Sequence, residues 1–331
     1  NRLLLDIEKQ TGLSIELEEQ SNLDIYPKIY FFNSKVTIFH KNSSILIGNS
    51  SLTITKSYWP FSPFNINLKS PIINLNGFEL NNVSIHANYK DKVIKFIKFN
   101  GDLIGGKFDI TGNINLNDQL PFNIKGQFKN ISLNTLLKQS GINLWDRITI
   151  KLSSEEFSIF GYAKDKDNFV SFLKGEAELS GSGYLLTTDE ERFGAALLSL
   201  LVEKLPSLSS MSKLYNFIIS TYGNIPTFIK GNLMINNNKI LLKEINIENE
   251  LGKSSLNAEL DLKKNDVNGK IYFYEDEEVF IETVIKGDMN DPEILIKGND
   301  LDQDKETPKD IRKIFKEGIS SIVDKLLKIS D

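Results

Sequence analysis

Two histidines, His40 and His86, and no cysteine are all that 331 residues offer for imidazole or thiol chemistry. A thiol nucleophile, a disulfide framework, a Cys zinc site and an iron–sulfur cluster are excluded, and a His-rich metal site is nearly so. A serine–histidine triad would have to use one of just two imidazoles. His86 stands at a polar position near Val83, Ile85 and Ala87, with Asn82 and Asn88 as neighbours, and His40 precedes Lys41. Neither has a local Asp, Glu or Ser arrangement that would make it a base.

The remaining motifs are also short of a reaction. Gly181-Ser182-Gly183 lacks the last glycine of a dinucleotide loop and is read as a turn. Asp165-Lys166-Asp167-Asn168 has the look of half a calcium loop, but the loop glycine and terminal glutamate are missing, so it is read as a surface turn. No pair of carboxylates stands out for glycoside hydrolysis. The sequence is therefore read as a non-enzyme with no catalytic residues, no cofactor and no metal.

Length allows about two ordinary domains or one elongated one, with ample residues for a core. The net charge of −5 and the scattered lysines argue against a nucleic-acid footprint. No window reaches the roughly 18 apolar residues that span a bilayer. Ala195 to Leu205 comes nearest but carries Glu203 and Lys204. The chain opens with Asn1 rather than methionine, and is read as a trimmed product whose signal or anchor lay upstream.

Most of the sequence reads as short strands of period two, separated by Asn, Gly, Ser and Asp. Phe64-Asn65-Ile66-Asn67-Leu68, Val83-Ser84-Ile85-His86-Ala87, Phe108-Asp109-Ile110 and Asn113-Ile114-Asn115-Leu116 are examples. Successive strand side chains point to opposite faces, so each segment has one oily and one wet face. Turns are expected at Asn76-Gly77, Asn100-Gly101, Gly105-Gly106 and Asn268-Gly269, too closely spaced for helical crossovers, so the sheet should be mainly antiparallel. Glu275-Asp276-Glu277-Glu278 reads as a solvated hairpin tip.

Helices are expected in four places. Arg2 to Gln10 stops at Thr11-Gly12, Leu133 to Gln139 closes before Gly141, and Asp189 to Ser220 should be split by Pro206. Its first turn holds Asp189, Glu190 and Glu191, which suits the helix dipole. The last helix opens at Thr307-Pro308 and carries an apolar stripe that includes Ile311, Phe315, Ile319 and Ile322. It either caps the sheet or lies on a membrane with Lys309, Arg312, Lys313 and Lys316 towards anionic headgroups.

Phe122 to Phe128 and Phe228 to Leu233 both read as strand, Lys-Gly, strand, and Lys-Gly recurs at 174–175, 286–287 and 297–298. This suggests a recurrent hairpin unit without a fixed period. The oily β surface is rich in phenylalanine, with 21 Phe and only two Trp. Its lining would come from Phe64, Ile66, Leu68, Val83, Ile85, Phe108, Ile110, Ile114, Leu116, Phe122 and Ile124. Periodicity does not separate an ordinary sandwich core from a groove with an apolar lumen.

Several segments carry a resemblance. Ile285-Lys286-Gly287-Asp288-Met289-Asn290-Asp291-Pro292-Glu293-Ile294, followed by a polar stretch and a terminal helix, resembles the ending of AsmA-like and TamB-related bacterial envelope proteins. Phe228 to Leu233 through Lys239-Ile240, then Leu256 to Leu262, is similar to that family's order of strands. Phe172 to Gly183, leading to a helix at Asp189, is similar to its step into internal helices. Leu4 to Leu17 and Tyr26 to Ile29 resemble the region after its N-terminal membrane helix. The Asp-Pro step is the most specific of these motifs.

The resemblance implies a mainly β fold: an elongated, curled antiparallel sheet forming a groove, with internal helices and a C-terminal amphipathic helix. It divides as 1–12, 13–132, 133–227, 228–298 and 299–331: a post-anchor helix, a first groove part, a helical segment, a second groove part, and an acidic linker with its helix. The implied setting is the periplasmic side of the bacterial inner membrane, and the implied role is moving phospholipid acyl chains between the inner and outer membranes, or otherwise supporting outer-membrane biogenesis. The alternative is a scaffold that binds outer-membrane proteins along a sheet edge, without lipid transfer. The expected partners are phospholipid, the membrane and other envelope proteins.

Overall fold

A computed structural model describes residues 14–17, 22–24, 29–40, 43–56, 63–75, 78–117, 119–139, 147–162, 169–202, 209–289 and 291–298. The strands are β1 (Ser14–Leu17), β2 (Asn22–Asp24), β3 (Ile29–His40), β4 (Ser43–Lys56), β5 (Phe64–Leu75), β6 (Phe78–Lys90), β7 (Val93–Leu103), β8 (Gly106–Asn115), β9 (Pro121–Ser132) and β10 (Ile148–Tyr162). They continue as β11 (Lys174–Leu185), β12 (Thr227–Asn236), β13 (Lys239–Asn249), β14 (Gly252–Asp261), β15 (Asp266–Glu275), β16 (Glu278–Asp288) and β17 (Glu293–Gly298). The helices are α1 (Leu133–Gln139), α2 (Asp189–Val202) and α3 (Ser209–Tyr222). The fold is mainly β with few helices and antiparallel, as the alternating pattern predicts, and the sheet is not closed, as the resemblance implies.

The chain forms two compact units, residues 1–141 with 153–177, and residues 142–152 with 178–331. In the first, β3 to β9 pair antiparallel in sequence order, and the short β1 and β2 both pair with β3. In the second, β12 to β17 do the same. Strands of 10 to 14 residues, shortened to six in β17, with two-residue turns at several of the connections, explain the meander. Asp91-Lys92, Asn237-Asn238 and Asp276-Glu277 all have positive φ, the geometry that matches strand twist in a tight hairpin. The last of these is the acidic tip that the sequence places there.

Several expected turns are corrected. Asn100-Gly101 lies inside β7 and Asn268-Gly269 inside β15. Gly181-Ser182-Gly183 lies inside β11, where a Cβ on Gly181 would stand 2.3 Å from the Lys151 carbonyl oxygen. Lys125-Gly126 and Lys230-Gly231 are mid-strand as well, so the Lys-Gly echo is not a hairpin unit. At Gly126 a Cβ would meet the Asp109 carbonyl oxygen at 2.3 Å, and at Gly231 it would meet Ile245 Cδ1 at 2.5 Å. These glycines permit close cross-strand approach instead of reversing the chain. Gly105-Gly106 does fall at a turn.

A different repeat is present. β6 to β9 recur as β12 to β15. Ile94↔Ile114, Phe96↔Gly112 and Phe99↔Ile110 in the first unit match Ile240↔Leu260, Leu242↔Ala258 and Ile245↔Leu256 in the second. The displacement is 146 residues for β6 to β8 against β12 to β14, the interval from Ile94 to Ile240, and 145 for β9 against β15, where Phe128 matches Phe273. The register shift between Phe96 and Phe99 recurs between Leu242 and Ile245. Asp91-Lys92 maps onto Asn237-Asn238, and the Leu116 N–H to Lys92 carbonyl bond of 2.7 Å onto Leu262 N–H to the Asn238 carbonyl, also 2.7 Å. Ala87↔Phe96 and Tyr89↔Ile94 likewise match Leu233↔Leu242 and Ile235↔Ile240.

The helix Leu133–Gln139 is where the sequence puts it. The Asp189 segment is two helices, as Pro206 implies, and the second runs to Tyr222. Thr188 and Glu191 cap α2 reciprocally: the Glu191 N–H donates to Thr188 Oγ1 at 3.3 Å and the Thr188 N–H to Glu191 Oε2 at 2.9 Å. The expected helices at 2–10 and 307–331, the linker at 299–306, the Asn76-Gly77 turn and the 165–168 turn lie outside the described residues.

Candidate functional site

In the first unit, cross-strand pairing aligns the apolar positions into rows. Ile66, Ala87, Phe96, Gly112 and Ile124 follow one another from β5 to β9, and Leu68, Ile85, Phe99, Ile110 and Gly126 form the next row. Because side chains alternate along a strand, these rows share one face of the sheet. Phe64, Ile66, Leu68, Val83, Ile85, Phe108, Ile110, Ile114, Phe122 and Ile124 all lie on it, and Leu116 continues the alternation one residue beyond β8. The eleven residues singled out from the sequence are therefore brought together. Asn67, His86 and Lys98 form a row on the opposite face.

The apolar face is graded. Ile47, Leu68, Ile73, Leu80 and Val83 are its buried centre, with Leu52, Ile85, Phe99, Leu103 and Phe108 packed against them and only partly buried. All ten come from β4 to β8, and among the described residues no helical one contributes to this cluster. Phe99 meets Phe108 edge to face at 5.2 Å, and Phe128 meets Phe157 at 5.8 Å. The outer rows thus present half-buried aromatic and branched side chains.

The second unit builds the same face and then covers part of it. Leu214, Phe273, Ile281 and Ile296 form a buried cluster with Phe217, Ile218, Ile271, Phe280 and Ile294, so α3 sits on β15 to β17. Phe217 is the hub, with ring contacts to Tyr222 at 5.8 Å, Phe273 at 5.7 Å and Phe280 at 5.0 Å. Sequence reading gave α3 no such role. Its signal was present in Leu214, Phe217, Ile218 and Tyr222, spaced by three, one and four residues.

Among the described residues the titratable groups form no cluster of three that could hold a metal, and their shifts have local causes. His86 is exposed, with Nδ1 2.5 Å from Asn67 Oδ1. Burial pushes the Tyr222 phenol up to about 12, and burial followed by the charge of Glu191 raises Tyr215. Asp261 is lowered, first by the Lys264 N–H, and Lys239 is raised by its hydrogen bond to Glu259. Each cause is local to a turn, a cross-strand pair or the buried helix. A depression of about 570 Å³ on the sheet of the second unit is lined by both apolar and polar strand residues, among them Leu241, Leu242, Ala258, Asn257, Glu259 and Lys270.

Among the described residues no helix is long and apolar enough to cross a membrane. No family model, curated protein or solved structure matches the chain. The site is thus defined by its own geometry: an extended apolar sheet face whose core in the first unit is built from strands among the described residues, and which in the second unit is helix-covered.

Proposed function

We propose that this chain is an AsmA-like protein of the bacterial envelope that holds phospholipid acyl chains on the apolar face of its sheet, and so helps move lipid between the inner and outer membranes. The observation that supports this reading is the partly buried trio Ile85, Phe99 and Phe108 at the border of a core that, among the described residues, is built from strands. An acyl chain laid along such rows would gain about 0.8 kcal/mol for each buried methylene, without needing any one residue to dominate. A surface of this kind holds a chain by its length and asks nothing of the headgroup. The motif ending in Asp291-Pro292 supports the family reading, which in turn supports a periplasmic setting beside the inner membrane.

Native mass spectrometry of the protein extracted from bacterial membranes tests this. Co-purifying phospholipid is the expected result. A lipid-free protein that instead crosslinks to outer-membrane proteins through its edge strands would favour the scaffold reading.

A further inference from the structure

We propose that α3 is a displaceable cover over a second acyl-chain site, on the sheet of the second unit. The inference rests on the acyl-chain reading above and deepens it. The repeat makes the two faces comparable position by position. Phe108↔Phe128 in the first unit corresponds to Ser254↔Phe273 in the second, and Phe99 corresponds to Ile245. Where the first unit has the aromatic Phe108, the second has a serine whose hydroxyl lies 2.7 Å from the Tyr222 hydroxyl of α3. At Gly252 a Cβ would stand 2.9 Å from Thr221 Cγ2 and 3.1 Å from the Phe217 ring. The second face has been reduced in size where the helix lies on it.

The attachment is uneven. The last turn of α3 and the residues after it are held by polar bonds: Asn249 Nδ2 donates to the Thr221 carbonyl at 2.6 Å and the Tyr222 hydroxyl to the Ile247 carbonyl at 3.2 Å. Asn224 adds a paired link to Thr187. Upstream, Leu214, Phe217 and Ile218 meet Phe273, Ile281 and Ile296 through apolar side chains. Contacts of that kind are non-directional, and a lipid chain can replace them one for one. Beneath them the Thr283 hydroxyl, 1% exposed, has no hydrogen-bond partner among the described residues. A helix bonded to the sheet at its C-terminal end, and meeting the sheet upstream through exchangeable side chains, can swing about residues 221–224 once the 3.5 Å bond from the Tyr215 hydroxyl to the Glu191 carbonyl of α2 also opens.

Without ligand the cover stays closed, because opening exposes Leu214 and Ile281, each only 2% exposed. Acyl chains recover the sheet's share of that loss. The amphipathic α3 recovers its own share at the lipid surface, so opening should require a membrane and not a lone fatty acid.

Hydrogen exchange on the full chain, with and without vesicles of phosphatidylethanolamine and phosphatidylglycerol, tests this, with bound phospholipid counted in parallel by native mass spectrometry. Vesicles should speed exchange of the 213–220 amides by about tenfold or more while the amides of β15 and β16 keep their protection. Phe217→Ala, which removes the three ring contacts, should raise the number of phospholipids bound per chain. If phospholipid binds while the α3 amides exchange no faster, the cover is refuted and the acyl-chain reading survives. If no phospholipid binds to either protein, both fail. The wild-type exchange measurement stands even if Phe217→Ala does not fold.

Discussion

The side chain of Asn224 is paired with the backbone of Thr187 as one strand pairs with another: the Thr187 N–H donates to Asn224 Oδ1 at 3.0 Å, and Asn224 Nδ2 donates to the Thr187 carbonyl at 2.9 Å. Thirty-seven residues apart, they stand at the entry and exit of the α2–α3 hairpin. The Asn224 N–H adds a bond to the Leu185 carbonyl at 2.8 Å, and Leu185 bridges Gly223. The helices thus leave the sheet and return to it at one point. Asn224 holds φ of 57°, a conformation Asn tolerates better than other non-glycine residues.

Asn224→Ala should therefore destabilise the second unit by about 2–4 kcal/mol, through two lost bonds, an unpaired buried Thr187 amide and a strained backbone. Asn224→Gly should recover only the backbone part. Urea unfolding of the three proteins measures the order, and equal stability of the alanine and wild-type chains would contradict the pairing's role.

Alkaline pH should weaken the fold through Tyr222. Its phenol is pushed up to about 12 from the ordinary 10.0, chiefly by burial, so the folded state keeps a proton that the unfolded state releases. The contribution is complete below pH 10 and is lost as pH rises from 10 towards 12. Tyr222→Phe should flatten that decline, although raised Tyr215 leaves part of it. At pH 8 the variant should be less stable by about 1 kcal/mol, having lost the bonds to Ser254 and Ile247. Stability measured from pH 8 to 12 checks both effects.

The repeat makes an asymmetric prediction about one register position. Gly112 has φ of 153°, and a Cβ there would lie 2.2 Å from the Asn123 carbonyl oxygen, whereas its counterpart Ala258 carries a Cβ. Gly112→Ala should cost about 1–3 kcal/mol. Ala258→Gly should cost about 1 kcal/mol or less, mainly through backbone entropy. Thermal denaturation of the two variants should place Gly112→Ala clearly lower.

Leu68 is buried at the centre of the apolar cluster of β4 to β8. Leu68→Ala should cost about 2–5 kcal/mol in denaturant unfolding. A neutral substitution would mean that this cluster is not the core of the first unit.

Strand alternation was legible because Phe64, Ile66 and Leu68, or Val83, Ile85 and Ala87, repeat at period two with polar residues between them. That was enough to place ten of eleven lining residues inside strands, and the eleventh, Leu116, directly after one. The turns were less legible. Asn100-Gly101 and Asn268-Gly269 have turn chemistry but serve strand interiors, while Asp91-Lys92 and Asp276-Glu277 reverse the chain without a glycine. The 146-residue repeat was hidden because hairpin geometry, not identity, conserves it. Phe99 corresponds to Ile245 and Phe108 to Ser254, and only scattered residues such as Ile94 and Ile240 coincide. The helix cover needed the tertiary structure, since nothing in α3 says which strands it meets.

The most direct test of an acyl-chain face uses two adjacent residues on opposite sides of β6. The chain has no cysteine, so Ile85→Cys and His86→Cys each give a single labelling site. With a fluorophore at each site, vesicles whose lipids carry a spin label midway along the acyl chain should quench position 85 strongly and position 86 little. Equal quenching at both positions, or none at position 85, would contradict the account.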